Sequence, residues 1–404
     1  MITLEGIRQA HTRIRGMVRC TPLYRSASLS EQCGMEILLK HEYQQITGSF
    51  KERGACNTLL GLDAEARRRG VVAASAGNHA LGLAFHGQRL GIPVCVVMPR
   101  FAPLVKVHRC RALGARVLLV GSSFDDARST ALTIARDEGR TLVHGFDHPA
   151  IMEGQGTLGL ELLEQEPDLD AIVVPVGGGG LLAGVATAVK SQRPEVAIIG
   201  VEAERAPTLT SALAHGGPTR VRVGAGLADG LAVAELGGQC FATLHDKIDG
   251  AEVVSEAEIA GAIVTLMELE KAVVEGAGAV GLAWARRRPS HLAGRRVAIV
   301  LSGGNIDLNV VSRVIERGLA SAGRLCKIVV ELPDEPGMLA RLLLRLADAE
   351  VNLLQVEHDR NFAPADVAQV RVSLLLETRD AEHIAALQPL LAETGLSHRF
   401  VSDP

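Results

Sequence analysis

The stretch Thr47-Gly48-Ser49-Phe50-Lys51-Glu52-Arg53-Gly54 places a lysine where lysine is chemically unusual. Only seven of the 42 basic residues in the chain are Lys. Ser49 and Glu52 have the Ser-x-x-Glu spacing of a capping box, which predicts a helix with Phe50 and Lys51 in its first turn. The positive end of the helix dipole disfavours an ammonium there, and partial burial beside Phe50 disfavours it further. A lysine so held tends towards the neutral amine, the form a Schiff-base nucleophile requires. Read alone, a lysine in this context is more often an ordinary solvated first-turn residue. The surrounding chain decides between the two.

Outward from this stretch, short apolar runs alternate with helical patterns. Residues 36–40 read as a strand before it, and its helix continues to about Gly61. Residues 71–75, 94–98, 117–120 and 141–143 read as buried strands, with helices between them such as 81–90 and 125–137. A second series begins near residue 150, with a helix around 156–166 and strands at 171–176, 197–201 and 297–301. A less regular span covers 216–228. Strands separated by helices of this length predict an α/β fold, with parallel sheets covered on both faces and two lobes facing a cleft. Ligands are expected at the carboxyl ends of the strands. The small-residue stretch 318–323 reads as a linker. Beyond it the order is strand 327–332, helix 337–347, strands 352–358 and 367–376, helix 381–393 and strand 396–401, a ferredoxin-like βαββαβ unit.

The chain has 404 residues, a formal net charge of -4 and 22% charged residues, the profile of an ordinary globular protein. Its basic triplets, 67–69 and 286–288, end helix-like segments where cations suit the dipole, so nucleic acid is not an expected partner. Seven scattered cysteines without a C-x-x-C point to a reducing, cytoplasmic setting. The first residues lack the apolar core of a signal peptide, and no apolar run is long enough for a bilayer.

Three further loops at strand ends carry polar chemistry. Ser75-Ala76-Gly77-Asn78-His79 follows a strand and opens a helix, so its N–H groups suit a carboxylate and Asn78 suits a ring oxygen. Gly177-Gly178-Gly179-Gly180 lets successive N–H groups converge on one anion at a helix start, which suits a phosphate. The same loop fits a rival reading: Gly178-x-Gly180-x-x-Ala183 matches a dinucleotide pattern, with Glu202 near the place of a ribose-binding acid. That reading leaves Lys51 and the Asn78 loop unexplained. Ser302-Gly303-Gly304-Asn305 offers a hydroxyl to a ligand ring.

Together with Glu275-Gly276-Ala277-Gly278-Ala279, these motifs resemble, in order, those of the fold-type II pyridoxal phosphate enzymes, and the nearest branch is threonine dehydratase (threonine ammonia-lyase). Glu331-Leu332-Pro333-Asp334-Glu335-Pro336-Gly337 resembles the opening of an ACT regulatory domain. The resemblance implies a catalytic part, 1–320, whose smaller lobe of about 52–148 is inserted in the larger one, and an ACT domain over 325–404. It implies that Lys51 holds pyridoxal 5'-phosphate covalently and then removes the substrate α-proton. Phe50, Asn78, Gly177 to Gly180, Glu275 and Ser302 would hold the cofactor, and Ser75, Ala76, Gly77, Asn78 and His79 the substrate. A neutral Ser302 hydroxyl at the ring nitrogen favours prompt loss of a β-substituent. L-Threonine would give 2-oxobutyrate and ammonia, and L-serine would give pyruvate.

Related serine racemases carry a serine where Ala76 stands, so dehydration is expected over racemisation; serine or hydroxyaspartate dehydratases are the alternatives, and a non-catalytic amino-acid sensor a further one. The racemase cation site maps to Glu202, Ala206 and Thr208, where Thr208 lacks the charge; Glu204 lies close by. An amino-acid or nucleotide effector would bind near Asp334, Gly337 and Asn352, in a homodimer or homotetramer.

Overall fold

The computed structural model describes residues 1–360 and 368–401. The chain divides into two compact units, Met1–Asp307 and Leu308–Pro404.

The first unit contains two sheets. The larger has six strands in the order Leu23–Arg25, Glu36–Lys40, Arg296–Val300, Ala171–Pro175, Ala197–Ala203 and Gly250–Val254. All neighbours are parallel except the first pair. The smaller is an all-parallel sheet in the order Arg116–Leu119, Val94–Met98, Val71–Ala74 and Thr141–Leu142. In sequence it lies between the second and fourth strands of the larger sheet. Every residue of Val94–Met98 and Ala171–Pro175 is buried, because helices cover both faces of a parallel sheet and leave no solvated side for polar residues.

Two strands escaped the sequence pattern. Leu23–Arg25 is only three residues long and antiparallel. Gly250–Val254 is an edge strand that begins Gly-Ala-Glu, without an apolar run. The capping box at Ser49 and Glu52 does not form. Ser49 is drawn into an antiparallel bridge with Gly303, and the Phe50 N–H donates to Ser302 O. The Glu52 carboxylate instead accepts from the Thr47 N–H, while Ser49 Oγ has no hydrogen-bond partner among the described residues. The helix begins all the same, as Lys51–Leu60, so Lys51 does occupy its first turn.

The expected linker at 318–323 is also corrected. The helix Leu308–Ser321 runs through most of it, since one amphipathic pattern, with Val311 and Val314 buried, outweighs the small residues Gly318, Ala320 and Ser321 at its end. The second unit then forms an antiparallel sheet in the order Asn352–Asp359, Gln369–Glu377, Leu325–Pro333 and Ser397–Val401, with the helices Met338–Asp348 and Ala381–Ala392. Burial alternates along Gln369–Glu377, as expected for a sheet with one covered face. Residue 367, the expected start of that strand, lies outside the described residues.

Candidate active site

Three loops of the first unit are knitted around Lys51. The Gly304 N–H donates to Gly48 O at 2.9 Å, and Asn305 Nδ2 donates to Thr47 O at 2.7 Å. Gly48 has φ +82, and a Cβ there would stand 2.7 Å from Asn305 Oδ1, so this crossing needs glycine. A cavity of about 360 Å³ opens at the junction. Its wall includes Phe50, Lys51, residues 75–79, Gly177 to Gly180, Glu275 and Ser302. The structure therefore brings every expected cofactor and substrate residue to one cavity.

Lys51 Nζ donates to Gly145 O at 2.8 Å and lies 5.1 Å from the Phe50 ring centroid. Burial lowers its ammonium from 10.5 to about 8, a shift that the negative charge of Glu275 opposes. Opposite, Asn78 Nδ2 donates to Glu275 Oε1 at 2.7 Å, and Asn78 Oδ1 accepts from Asn305 Nδ2 at 2.9 Å. Burial and the charge of Asp229 push the Glu275 carboxyl up to about 7, so it exchanges a proton near neutrality. Ser302 is buried at the strand end, with Oγ 3.5 Å from Ala277 O.

Glycine at 179 adopts φ +90 and starts the helix Gly180–Lys190, whose N-terminus carries no side-chain cap. Uncapped N–H groups at a cavity wall suit an anion. Ser75 Oγ accepts from the Gly77 N–H at 3.3 Å. His79 faces inward: its Nε2 is 3.3 Å from Val143 O, and burial, followed by the charge of Lys51, lowers its imidazole to about 3. It is a neutral wall group.

Long-range groups that local sequence reading missed complete the site. Lys106, on the helix Leu104–Ala112, makes a 2.9 Å ion pair with Asp229, and both line the cavity. Asn305 belongs to a loop singled out for its serine, but its amide is the hub that ties Thr47 to Asn78. Among signals in the sequence, only that loop's Ser-Gly-Gly-Asn run hinted at it.

The remaining candidates lie elsewhere. Glu202 is buried outside the cavity wall and accepts from the Thr210 N–H and Thr210 Oγ, both at 2.9 Å. Thr208 Oγ stands 3.1 Å from Glu202 Oε1 and 2.8 Å from Gly177 O, and Ala206 O accepts from the Thr208 N–H. The positions that map to the racemase cation site are thus engaged with one another and with neighbouring protein groups, and Glu202 is not free to bind a ribose. Among the described residues no group of three or more His, Cys, Asp or Glu is arranged for a metal.

In the second unit Asp334 is held by Arg360, with Nη2 to Oδ1 at 2.9 Å, and Asn352 donates to Glu377 at 2.9 Å. Gly337 precedes the helix Met338–Asp348 with φ +90. Asn352 pairs with Glu377 and Asp359 with Arg371, while the Asp334 N–H donates to Ala368 O. Asp334 and Asn352 therefore sit at opposite ends of the sheet, about 30 Å apart along a strand. One copy of the chain does not bring them together.

Residues 14–303 match the family model described as pyridoxal-phosphate dependent enzyme. The chain belongs to this family. Across 99% of its length it is 46% identical to an L-threonine ammonia-lyase of Thermotoga maritima, covering all of that protein. The processed form of threonine deaminase isoform 2 from Solanum lycopersicum superposes with a TM-score of 0.75 at 36% identity, over 78% of this chain and 93% of that one. A serine racemase of Dictyostelium discoideum gives 0.72 at 35%, over 76% and 99%. The cavity fits the family's cofactor: a buried amine of lowered proton affinity for its aldehyde, and an uncapped helix N-terminus for its phosphate. Among the described residues no helix is long and apolar enough to cross a membrane.

Proposed function

We propose that the chain is an L-threonine ammonia-lyase that converts L-threonine to 2-oxobutyrate and ammonia and also takes L-serine to pyruvate. The observation that carries this reading is Lys51, an amine lowered to about 8 that shares a cavity with the uncapped glycine-loop helix. Pyridoxal phosphate, when bound, supplies the electron sink that makes a substrate α-proton removable. Lys51 would hold it and, once displaced by the substrate amine, serve as base at Cα. The N–H groups of Gly177 to Gly180 would bind the phosphate, Asn78 the ring hydroxyl and Ser302 the ring nitrogen, with Phe50 against the ring. The loop Ser75 to His79 would orient the substrate carboxylate. Glu275, titrating near neutrality, can hold or release a proton at the same wall.

Ala76 favours elimination over racemisation, because a methyl group cannot carry a proton to a second face of the substrate. Similarity over the full chain to the Thermotoga maritima L-threonine ammonia-lyase supports threonine as substrate. The test is 2-oxobutyrate formation from L-threonine by protein loaded with pyridoxal phosphate. Pyruvate from L-serine without 2-oxobutyrate from L-threonine would move the substrate to serine. No product from either, with cofactor bound, would refute the reading.

The second unit suits regulation by an amino acid or a nucleotide in a cytoplasmic homodimer or homotetramer. Because Asp334 and Asn352 lie apart in one copy, their joint use requires a second copy. Isoleucine or valine is expected to shift the threonine saturation curve; a curve unmoved by either would count against an amino-acid effector.

A further inference from the structure

Two buried polar groups beside Lys51 take no part in the chemistry above. Glu52 and His86 are both fully buried. Glu52 Oε1 accepts from the Thr47 N–H and so closes the turn that holds Lys51. Its Oε2 lies 3.6 Å from His86 Nε2, and among the described residues neither that oxygen nor either ring nitrogen of His86 has a hydrogen-bond partner. Buried polar atoms without partners cost free energy, so a carboxylate oxygen and an imidazole that face each other and, among the described residues, have no hydrogen-bond partner call for a function.

His86 belongs to the helix Asn78–Leu90. Asn78, Gly82 and His86 follow at intervals of four, which places them on one stripe of that helix. Asn78 reaches Glu275 and Asn305 at the cavity. Gly82 passes the lysine turn so closely that a Cβ would stand 3.3 Å from Lys51 O. His86 meets Glu52. On the other side, Arg53 turns into Glu42 and Glu161 with four hydrogen bonds of 2.7 to 2.8 Å. The lysine turn is therefore fastened through Arg53 to the larger sheet's side and meets the Asn78 helix through Glu52.

We propose that Glu52 and His86 are positioning residues that set the register of the Asn78 helix against the lysine turn, so that the Lys51 amine and the Asn78 amide face the cavity together. Neither lines the cavity, so they act through Lys51 and Asn78. The inference rests on reading that cavity as the cofactor site.

The test compares three substitutions in the full chain, each stripped of cofactor and reloaded with pyridoxal phosphate. His86→Leu removes the polar partner. His86→Gln keeps an N–H donor of similar reach, and His86→Asn keeps the same amide one methylene shorter. Leu and Asn are expected to weaken cofactor binding and lower kcat about tenfold each, with little change in the threonine KM, and Gln to restore most of both. If the Leu variant does not fold, the contrast between Asn and Gln decides. Cofactor affinity and kcat equal to the parent in all three, with only Tm altered, would overturn the proposal and leave a packing contact. If the parent itself takes up no cofactor, the functional reading fails first, and the two failures are told apart.

Discussion

Loading of the site should follow the titration of a single amine. Burial brings Lys51 from 10.5 down to about 8. At neutral pH about one such lysine in ten is unprotonated, against roughly three in ten thousand for an ordinary lysine, a gain of about 300-fold in attacking amine. Only the neutral amine attacks a carbonyl, so the loading rate should rise about tenfold per pH unit up to about pH 8 and then level off. Stopped-flow absorbance after mixing cofactor-free protein with pyridoxal phosphate, from about pH 6 to about pH 10, reads this directly. Glu275 opposes the shift, because an anion favours the ammonium. Glu275→Gln should therefore move the break to lower pH. A rate that keeps climbing with unit slope beyond about pH 9.5 would show a solvent-like lysine and refute the reasoning.

Other outcomes follow from the same structure. Burial alone would raise the Glu161 carboxyl, but Arg53 and Lys40 more than reverse this and bring it from 4.5 to about 2. The unfolded chain takes up that proton first as pH falls, so the stabilisation is present above about pH 4.5 and lost towards pH 2, a swing of about 3 kcal/mol measurable by urea denaturation. Arg53→Met leaves the buried Glu42 carboxylate without its cation and Glu161 with Lys40 alone, and should cost about 3 to 5 kcal/mol at neutral pH in the same assay. Thr208→Val removes the hydroxyl between Glu202 and Gly177 O; it should cost about 1 to 2 kcal/mol and weaken cofactor binding, and Thr208→Ser should restore both. Ala76→Ser should produce some D-serine from L-serine, and none by chiral chromatography would count against the role given to Ala76.

Much of the fold was legible because parallel strands buried on both faces are written as unbroken apolar runs, such as Val94–Met98 and Ala171–Pro175. The site loops were legible because glycines, Asn78 and Ser302 follow those runs directly. What failed to read was set by partners far along the chain. Leu23–Arg25 is a strand only because Glu36–Lys40 offers it an edge. Ser49 looks like a cap until Gly303 pulls it into a bridge, and the stretch 318–323 looks loose until the helix Leu308–Ser321 is seen to carry through it.

By itself the sequence determined the alternation of strands and helices, the order of the loops and the presence of a lysine at a helix start, since each is a matter of neighbours within a few residues. The tertiary structure alone decided what those groups can do. Lys51 meets Gly145 across 94 positions, Arg53 meets Glu161 across 108, and Asn78 meets Glu275 across 197. Proton affinity in a buried site is the sum of desolvation and charge from all such partners, and that sum exists only once the chain has closed around it.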